Sequence, residues 1–573
     1  MGQDEFAIGR VAVSPQDICR AELRAAQPTL QHTVAPMRID LLIIGLYLVG
    51  MLAIGYRVSD QSRDVEGYTI GNRNMSGWPL GLSVLATFLS SITFLGLPAK
   101  TLSQGNWNAF VFGATAPIAA LVAVRYFVPL YRNSAGLTAY ELLESRFGYW
   151  ARAYAALSYV TLQVIRIGNV LLLVALAVEP MLRWDEPPAA WADRFSAAQW
   201  VDVKIVGILV LAGLVVIVYD VLGGIRAVVW TDVVQVFVLT FGALWVLAEL
   251  TIDREGGIAG FFGDIPAERF DLGQWLNWTD SGLWDWAIPS VLVIVIYGVT
   301  ENMRNYGADQ NYVQRMLAAK DHRAAGHSIW IGALGYQPLN VLFCLIGTAL
   351  WLHIEDIKRS GVAATESARA VSSVAADQVL PNYIRYELPE FVAGLIIAAI
   401  LAAAMSTVDS GMNSSSMVVY CDFVKRLRKT APRWPEILSL RLWTIAIGAF
   451  GTGMAVFLYL SLGAGSSRTI MDVWWQYAGV AGGGMFGLFL LAWLLPGVPA
   501  RFALAGVLAS LPVLAWGVFC RGLAADSPWK PYECPLHPNL VGVLGTLTVL
   551  AVAGVGTFLG SAGRSAADRR SAN

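Results

Sequence analysis

The chain has 573 residues, 56% hydrophobic and 14% charged, with 21 tryptophans and a mean hydropathy of +0.55. No soluble domain of this size carries such a composition, so the fold class is all-α polytopic, with helices that cross a lipid bilayer. A net charge of −1 gives no hint of nucleic-acid binding, and the five cysteines show no metal spacing.

Residues 1–36 are polar and mixed in charge without an apolar core, which excludes a signal peptide and predicts a disordered tail. Met37 directly precedes the first hydrophobic helix and is itself a candidate start. About thirteen spans follow, at 38–57, 77–99, 108–131, 153–181, 203–222, 225–251, 285–305, 326–353, 388–421, 438–461, 470–495, 500–519 and 537–560. They divide into an extra N-terminal helix (37–60), a core (77–495), two C-terminal helices (500–560) and a short tail (561–573). Basic residues fall in alternate loops: Arg63 and Arg73, Arg132 and Arg146, Arg315 with Lys320 and Arg323, Lys425 to Arg433, Arg501, then Arg564, Arg569 and Arg570. The positive-inside rule therefore puts the N-terminus outside and the C-terminus in the cytoplasm, and the expected location is the plasma membrane (inner membrane in a bacterium).

The second span, GWPLGLSVLATFLSSITFLGLPAK, carries Ser90, Ser91 and Thr93 at mid-membrane, with Gly96 and Pro98 just beyond. Such an interrupted helix frees backbone carbonyls, which is tolerated where they line a cavity or hold an ion. The seventh span ends in Tyr297, Thr300, Glu301, Asn302, Arg304 and Asn305. Two such segments five spans apart suit an inverted 5+5 repeat; the competing account is a pair of small-residue packing helices. In the fourth span Arg166 stands mid-membrane beside Gln163 and Asn169. An arginine there pairs with an acid on another helix or meets an anionic substrate. Asp232, after GGIRAVVW, is either a helix cap or an ion ligand. Cys520 and Cys534 flank one short loop; two unpaired thiols are the default, a disulfide the alternative if that loop lies outside.

The ninth span, LPEFVAGLIIAAILAAAMSTVDSGMNSSSMVVYCDFVKR, turns from apolar to oxygen-bearing at about membrane depth. Ala403, Ser406, Thr407 and Ser410 share one helix face, with Asp409 beside it. Hydroxyls and a carboxylate at that spacing suit a hard monovalent cation; the alternative is a packing face whose hydroxyls bond back to the helix. An intramembrane carboxylate is costly and favours function.

At AAAMSTVDSGMNSSS followed by CDFVKR the sequence resembles the sodium–solute symporter family, and DVLGGIRAVVWTDVVQ, DQNYVQRMLAAKD and SSITFLGLPAK agree with it. The resemblance covers about residues 38–495. It implies a leucine-transporter-like inverted repeat that works by alternating access. It also implies a central sodium site, formed here by the backbone carbonyls of Ala86, Leu89 and Ala403 with the hydroxyls of Ser406 and Thr407. Some members hold a second sodium; the matching positions are Asp232, Ser406, Asp409 and Ser410, of which Asp409 departs from the family's hydroxyl or alanine and suits sodium or a proton. For the solute, Asn302 matches a sugar-contacting asparagine of the galactose carriers, and Phe112 replaces a polar residue of theirs. Their lysine has no counterpart near Gly335–Pro338. Ser90, Thr93 and Arg166 are similar to positions that hold sialic acid in a bacterial member. The expectation is a non-enzymatic symporter importing a small polar solute with Na+, a carboxylated sugar such as sialic acid ahead of a neutral sugar, monocarboxylate or amino acid. A membrane sensor is the alternative class, and an intramembrane hydrolase lacks its serine elbow.

Overall fold

The computed structural model describes residues 38–571 apart from 60–63, 134–135, 182–190, 192–193, 195, 253–255, 279–283, 360–370, 372–373, 428–434, 463–469, 522 and 524–526. The expected N-terminal tail, Met37 and part of the basic exit after the ninth span lie outside the described residues. No strand forms among those described, and each of the thirteen expected spans is helical. Ten helices are long and apolar enough to cross a bilayer alone, and a bent pair makes an eleventh. Of Ile470–Leu494, the apolar part Gly482–Leu494 is shorter. Val291–Ala308 falls short because its second half carries Glu301, Asn302, Arg304 and Asn305.

Helix α1 (Arg38–Ser59) precedes the core. The first half of the core opens with the bent pair, α2 (Gly77–Phe88) and α3 (Leu97–Gln104), joined through a wide turn at Ile92–Gly96 and bent by 52° overall. Leu89 leaves helical geometry (φ −91°, ψ 83°), and the N–H groups of Thr93 and Phe94 both turn to the Ser90 carbonyl, so the helical ladder skips a register there. Next come Asn108–Arg132 and α4 (Tyr149–Met181). Two expected spans follow as one 56-residue run, α5 (Ala197–Ile252). A straight helix of that length would reach about 84 Å, far beyond a bilayer core of roughly 30 Å. The chain reverses at Gly224 (φ 59°, ψ −173°), a conformation only glycine adopts freely.

The second half opens with its own break. Helix α6 (Val291–Ala308) stops at Asp309, whose extended backbone and side chain, accepting from the Asn311 N–H at 2.9 Å, start α7 (Gln310–Ala318). Then come α8 (His322–Arg359), α9 (Glu390–Val418, continuing to Lys425), Glu436–Leu462 and Ile470–Leu494. Five is an odd number of crossings, so the second half enters from the opposite side and the halves have inverted topology. The breaks meet: the Phe88 ring lies 6.0 Å from Tyr306 and 5.3 Å from Tyr312. Ala500–Phe519 and Pro538–Ser571 complete the molecule; Cys520 and Cys534 are free thiols.

Candidate cation and solute sites

The polar run of α9 serves two neighbours in succession. Its first part faces the break in α2. Ser406 Oγ donates towards the carbonyls of Ala403 (3.1 Å) and, across the interface, Ala86 (3.4 Å), while Thr407 Oγ1 lies 3.3 Å from the Ala403 carbonyl. All four residues are fully buried, as is Leu89 where the ladder fails. Ala86, Ala403, Ser406 and Thr407 are thus brought together, with Leu89 at the adjoining break. These are neutral oxygens at one point, the donor set a weakly held hard cation takes.

The second part of α9 faces α7, the short helix of the DQNYVQRMLAAKD stretch. Ser414 Oγ donates to Asn311 Oδ1 (2.5 Å), and Gln314 Nε2 donates to Asn413 Oδ1 (2.9 Å). Arg315, with no exposure, spends its guanidinium on four partners: Ser83 Oγ (2.7 Å), the Asn311 carbonyl (2.8 Å), Asp232 Oδ2 (3.0 Å) and Ser410 Oγ (2.7 Å). Two residues expected at a second cation, Asp232 through Oδ2 and Ser410 through Oγ, are thus engaged by the arginine. Asp232 is not a helix cap. What remains uncommitted is Asp232 Oδ1, Asp409 Oδ2 and both polar atoms of Gln235, all buried without a hydrogen bond. The Tyr47 hydroxyl of α1 faces Gln235, and Asp232, Asp220 and Arg315 lie within electrostatic reach of Asp409.

On the other side of the break is a cavity of about 70 Å³. Four of the five expected solute residues line it: Ser90, Thr93, Phe112 and Arg166. Arg166 reaches from α4 to donate to the Thr87 carbonyl (2.7 Å), and Thr93 Oγ1 donates to the Phe88 carbonyl (2.9 Å), so the backbone freed by the break is partly claimed by the cavity's own side chains. Phe112 stacks on Tyr297 at 5.4 Å. Asn302 does not line the cavity: its amide ties α6 to Thr115 Oγ1 (3.0 Å) and the Phe112 carbonyl (3.4 Å), and it is fully buried.

Tyr297, Glu301, Arg304 and Asn305 of α6, marked in the sequence as the polar end of the seventh span but not assigned to the solute, all stand in the cavity wall. Their spacing, i, i+4, i+7 and i+8, defines one helix face, from which Asn302 is turned by about 100°. That periodicity was the available signal. Glu301 and Arg304 form a buried fork, Nε to Oε2 at 2.9 Å and Nη2 to Oε1 at 2.5 Å.

The sodium:solute symporter family model matches residues 68–509. The chain is 30% identical over 508 residues to the sodium/sialic acid symporter SiaT of Proteus mirabilis, spanning 88% of this chain and 92% of that protein. It is 26% identical over 485 residues to human sodium-coupled monocarboxylate transporter 1, spanning 84% and 72%. A solved Na+-coupled sialic acid symporter, substrate-bound and outward-open, superposes with a TM-score of 0.76 at 27% identity, covering 91% of this chain and 98% of its own.

Proposed function

The chain belongs to the sodium:solute symporter family, and from that premise we propose that it couples Na+ to the import of a carboxylated sugar of the sialic acid class. The observation that carries the solute class is Arg166, an intramembrane guanidinium in the wall of a cavity at a helix break. A buried guanidinium grips a carboxylate through two parallel N–H donors, which no neutral group matches in strength.

The central sodium is held by the Ala86, Leu89 and Ala403 carbonyls and the Ser406 and Thr407 hydroxyls. This assignment gives coupling a physical basis. Ala86 and Leu89 serve the ion, while Thr87, Phe88 and Ser90 border the solute cavity, so ion and solute ligands alternate along one stretch where α2 ends and its break begins. Fixing that stretch for the ion orders it for the solute, and by linkage each raises the other's affinity equally. A second cation, if coupled, falls on Asp409 Oδ2 and Asp232 Oδ1 with Ser406, because Arg315 has taken Ser410. A coupling ratio of one sodium per solute, measured by reversal potential, removes this second site. The basic-loop pattern supports a multi-pass protein with its N-terminus outside and C-terminus in the cytoplasm.

A short monocarboxylate is the second reading, favoured by the cavity's modest size of about 70 Å³. The test is binding of N-acetylneuraminate to detergent-purified protein in sodium and in potassium buffer. Binding is expected in sodium alone, and Arg166→Lys is expected to weaken it beyond roughly thirtyfold, as losing one partner of a desolvated pair does. Wild-type affinity in folded Arg166→Lys protein, or binding of neutral sugars only, overturns the assignment.

A further inference from the structure

We infer that Arg304, clamped by Glu301, is the specificity-determining group of the solute cavity, reading an uncharged oxygen at the end of the solute remote from its carboxylate. This rests on the assignment of the carboxylate to Arg166.

Arg304 is only 3% exposed and lies in the cavity wall with Glu301 and Asn305. Nε and Nη2 are spent on Glu301, and Nη2 also donates to Asn305 Oδ1 at 2.9 Å. Nη1 is buried and makes no hydrogen bond; the nearest carboxylate oxygen to it, Asp309 Oδ2, is 3.7 Å away. An ion pair that served packing alone would not leave a buried charged donor with only a long contact to a carboxylate, because such a group gets no hydrogen bond in return for its lost hydration. A ligand oxygen in the cavity supplies that return.

The charge balance fixes the kind of oxygen. Glu301 neutralises the guanidinium through two short bonds and Asp309 lies 3.7 Å from Nη1, so the group offers directed N–H donors without net positive charge. Arg166 draws a carboxylate; Arg304 suits a hydroxyl or an acylamino carbonyl. A solute satisfying both carries a carboxylate for Arg166 and a neutral oxygen for Arg304. A short monocarboxylate satisfies Arg166 and leaves Arg304 as it is.

The surroundings are shaped for this side chain. A Cβ at Gly482 would stand 2.6 Å from Arg304 Cδ, so the glycine makes room for it. Behind the pair a second, water-sized cavity of about 10 Å³ shares Tyr297, Glu301 and Arg304 and is closed by Gly479, Gly483 and Gly542.

The experiment compares N-acetylneuraminate with pyruvate as ligands, at saturating sodium, in three variants whose folding is verified by sodium-dependent thermal stabilisation. Arg304→Lys keeps the charge and loses the fork. Glu301→Met with Arg304→Met removes both charges and leaves neither unpaired. Gly482→Ala displaces the guanidinium with the pair intact. Each is expected to weaken N-acetylneuraminate by roughly ten- to a hundredfold, the range of one hydrogen bond to a charged group, while pyruvate stays within about twofold. Equal losses for both ligands, or no loss for either, make Arg304 purely structural and overturn the inference. If wild-type protein binds neither acid, the carboxylate assignment to Arg166 fails and this inference with it.

Discussion

At Arg315 a full positive charge is held without exposure by four acceptors, one of them the carboxylate of Asp232. Removing one member of such a pair leaves the other charge buried alone, at a cost of about 3–5 kcal/mol. Asp232→Asn is therefore expected to lower the melting temperature sharply in sodium-free, solute-free detergent, and Arg315→Met on that background to recover much of the loss. An unchanged melting temperature in the single variant would show that the pair does not hold the fold. The pair was hidden in the sequence for a physical reason. Arg315 stands near Lys320 and Arg323, and charge counting puts all three in a cytoplasmic loop. A nine-residue helix too polar to register as apolar instead carries Arg315 back into the core, 83 positions from its partner. By contrast Ser406, Thr407 and Asp409 were legible, because hydroxyls and a carboxylate at helical spacing stand out inside an apolar run.

Among elements, the long spans were legible from hydropathy, the first break from Ser, Thr, Gly and Pro at mid-membrane, and the second from the polar end of the seventh span. Short helices such as α7 or Ala376–Glu387 were not, since neither length nor apolar periodicity marks them. The reversal of α5 was expected between residues 222 and 225 and falls at Gly224, whose backbone lies where a side chain costs about 1–3 kcal/mol. Gly224→Ala is expected to destabilise by that amount. Gly207→Ala, in the same run but with open space where its Cβ would stand, should be neutral or gain up to about 1 kcal/mol from helix propensity. Thermal unfolding of the two side by side checks this, and equal effects would mean that Gly224 is not the constrained hinge.

For the molecule as a whole, two inverted halves bring their broken helices together at Phe88, Tyr306 and Tyr312, and the proposed ion oxygens and solute cavity both border the first break. A gradient of one ligand then drives the other because both bias the same stretch of backbone. On the proposed assignment residues 86 to 90 carry this coupling, and Ser406 and Thr407 are where the ion enters it. The most direct measurement is uptake of labelled N-acetylneuraminate into proteoliposomes under an inward sodium gradient, with a potassium gradient as control. Accumulation above equilibrium is expected with sodium alone, and an apparent sodium affinity about tenfold weaker in Ser406→Ala or Thr407→Ala, the effect of one lost oxygen ligand. Equal uptake under both gradients, or unchanged sodium dependence in both well-expressed variants, would contradict it.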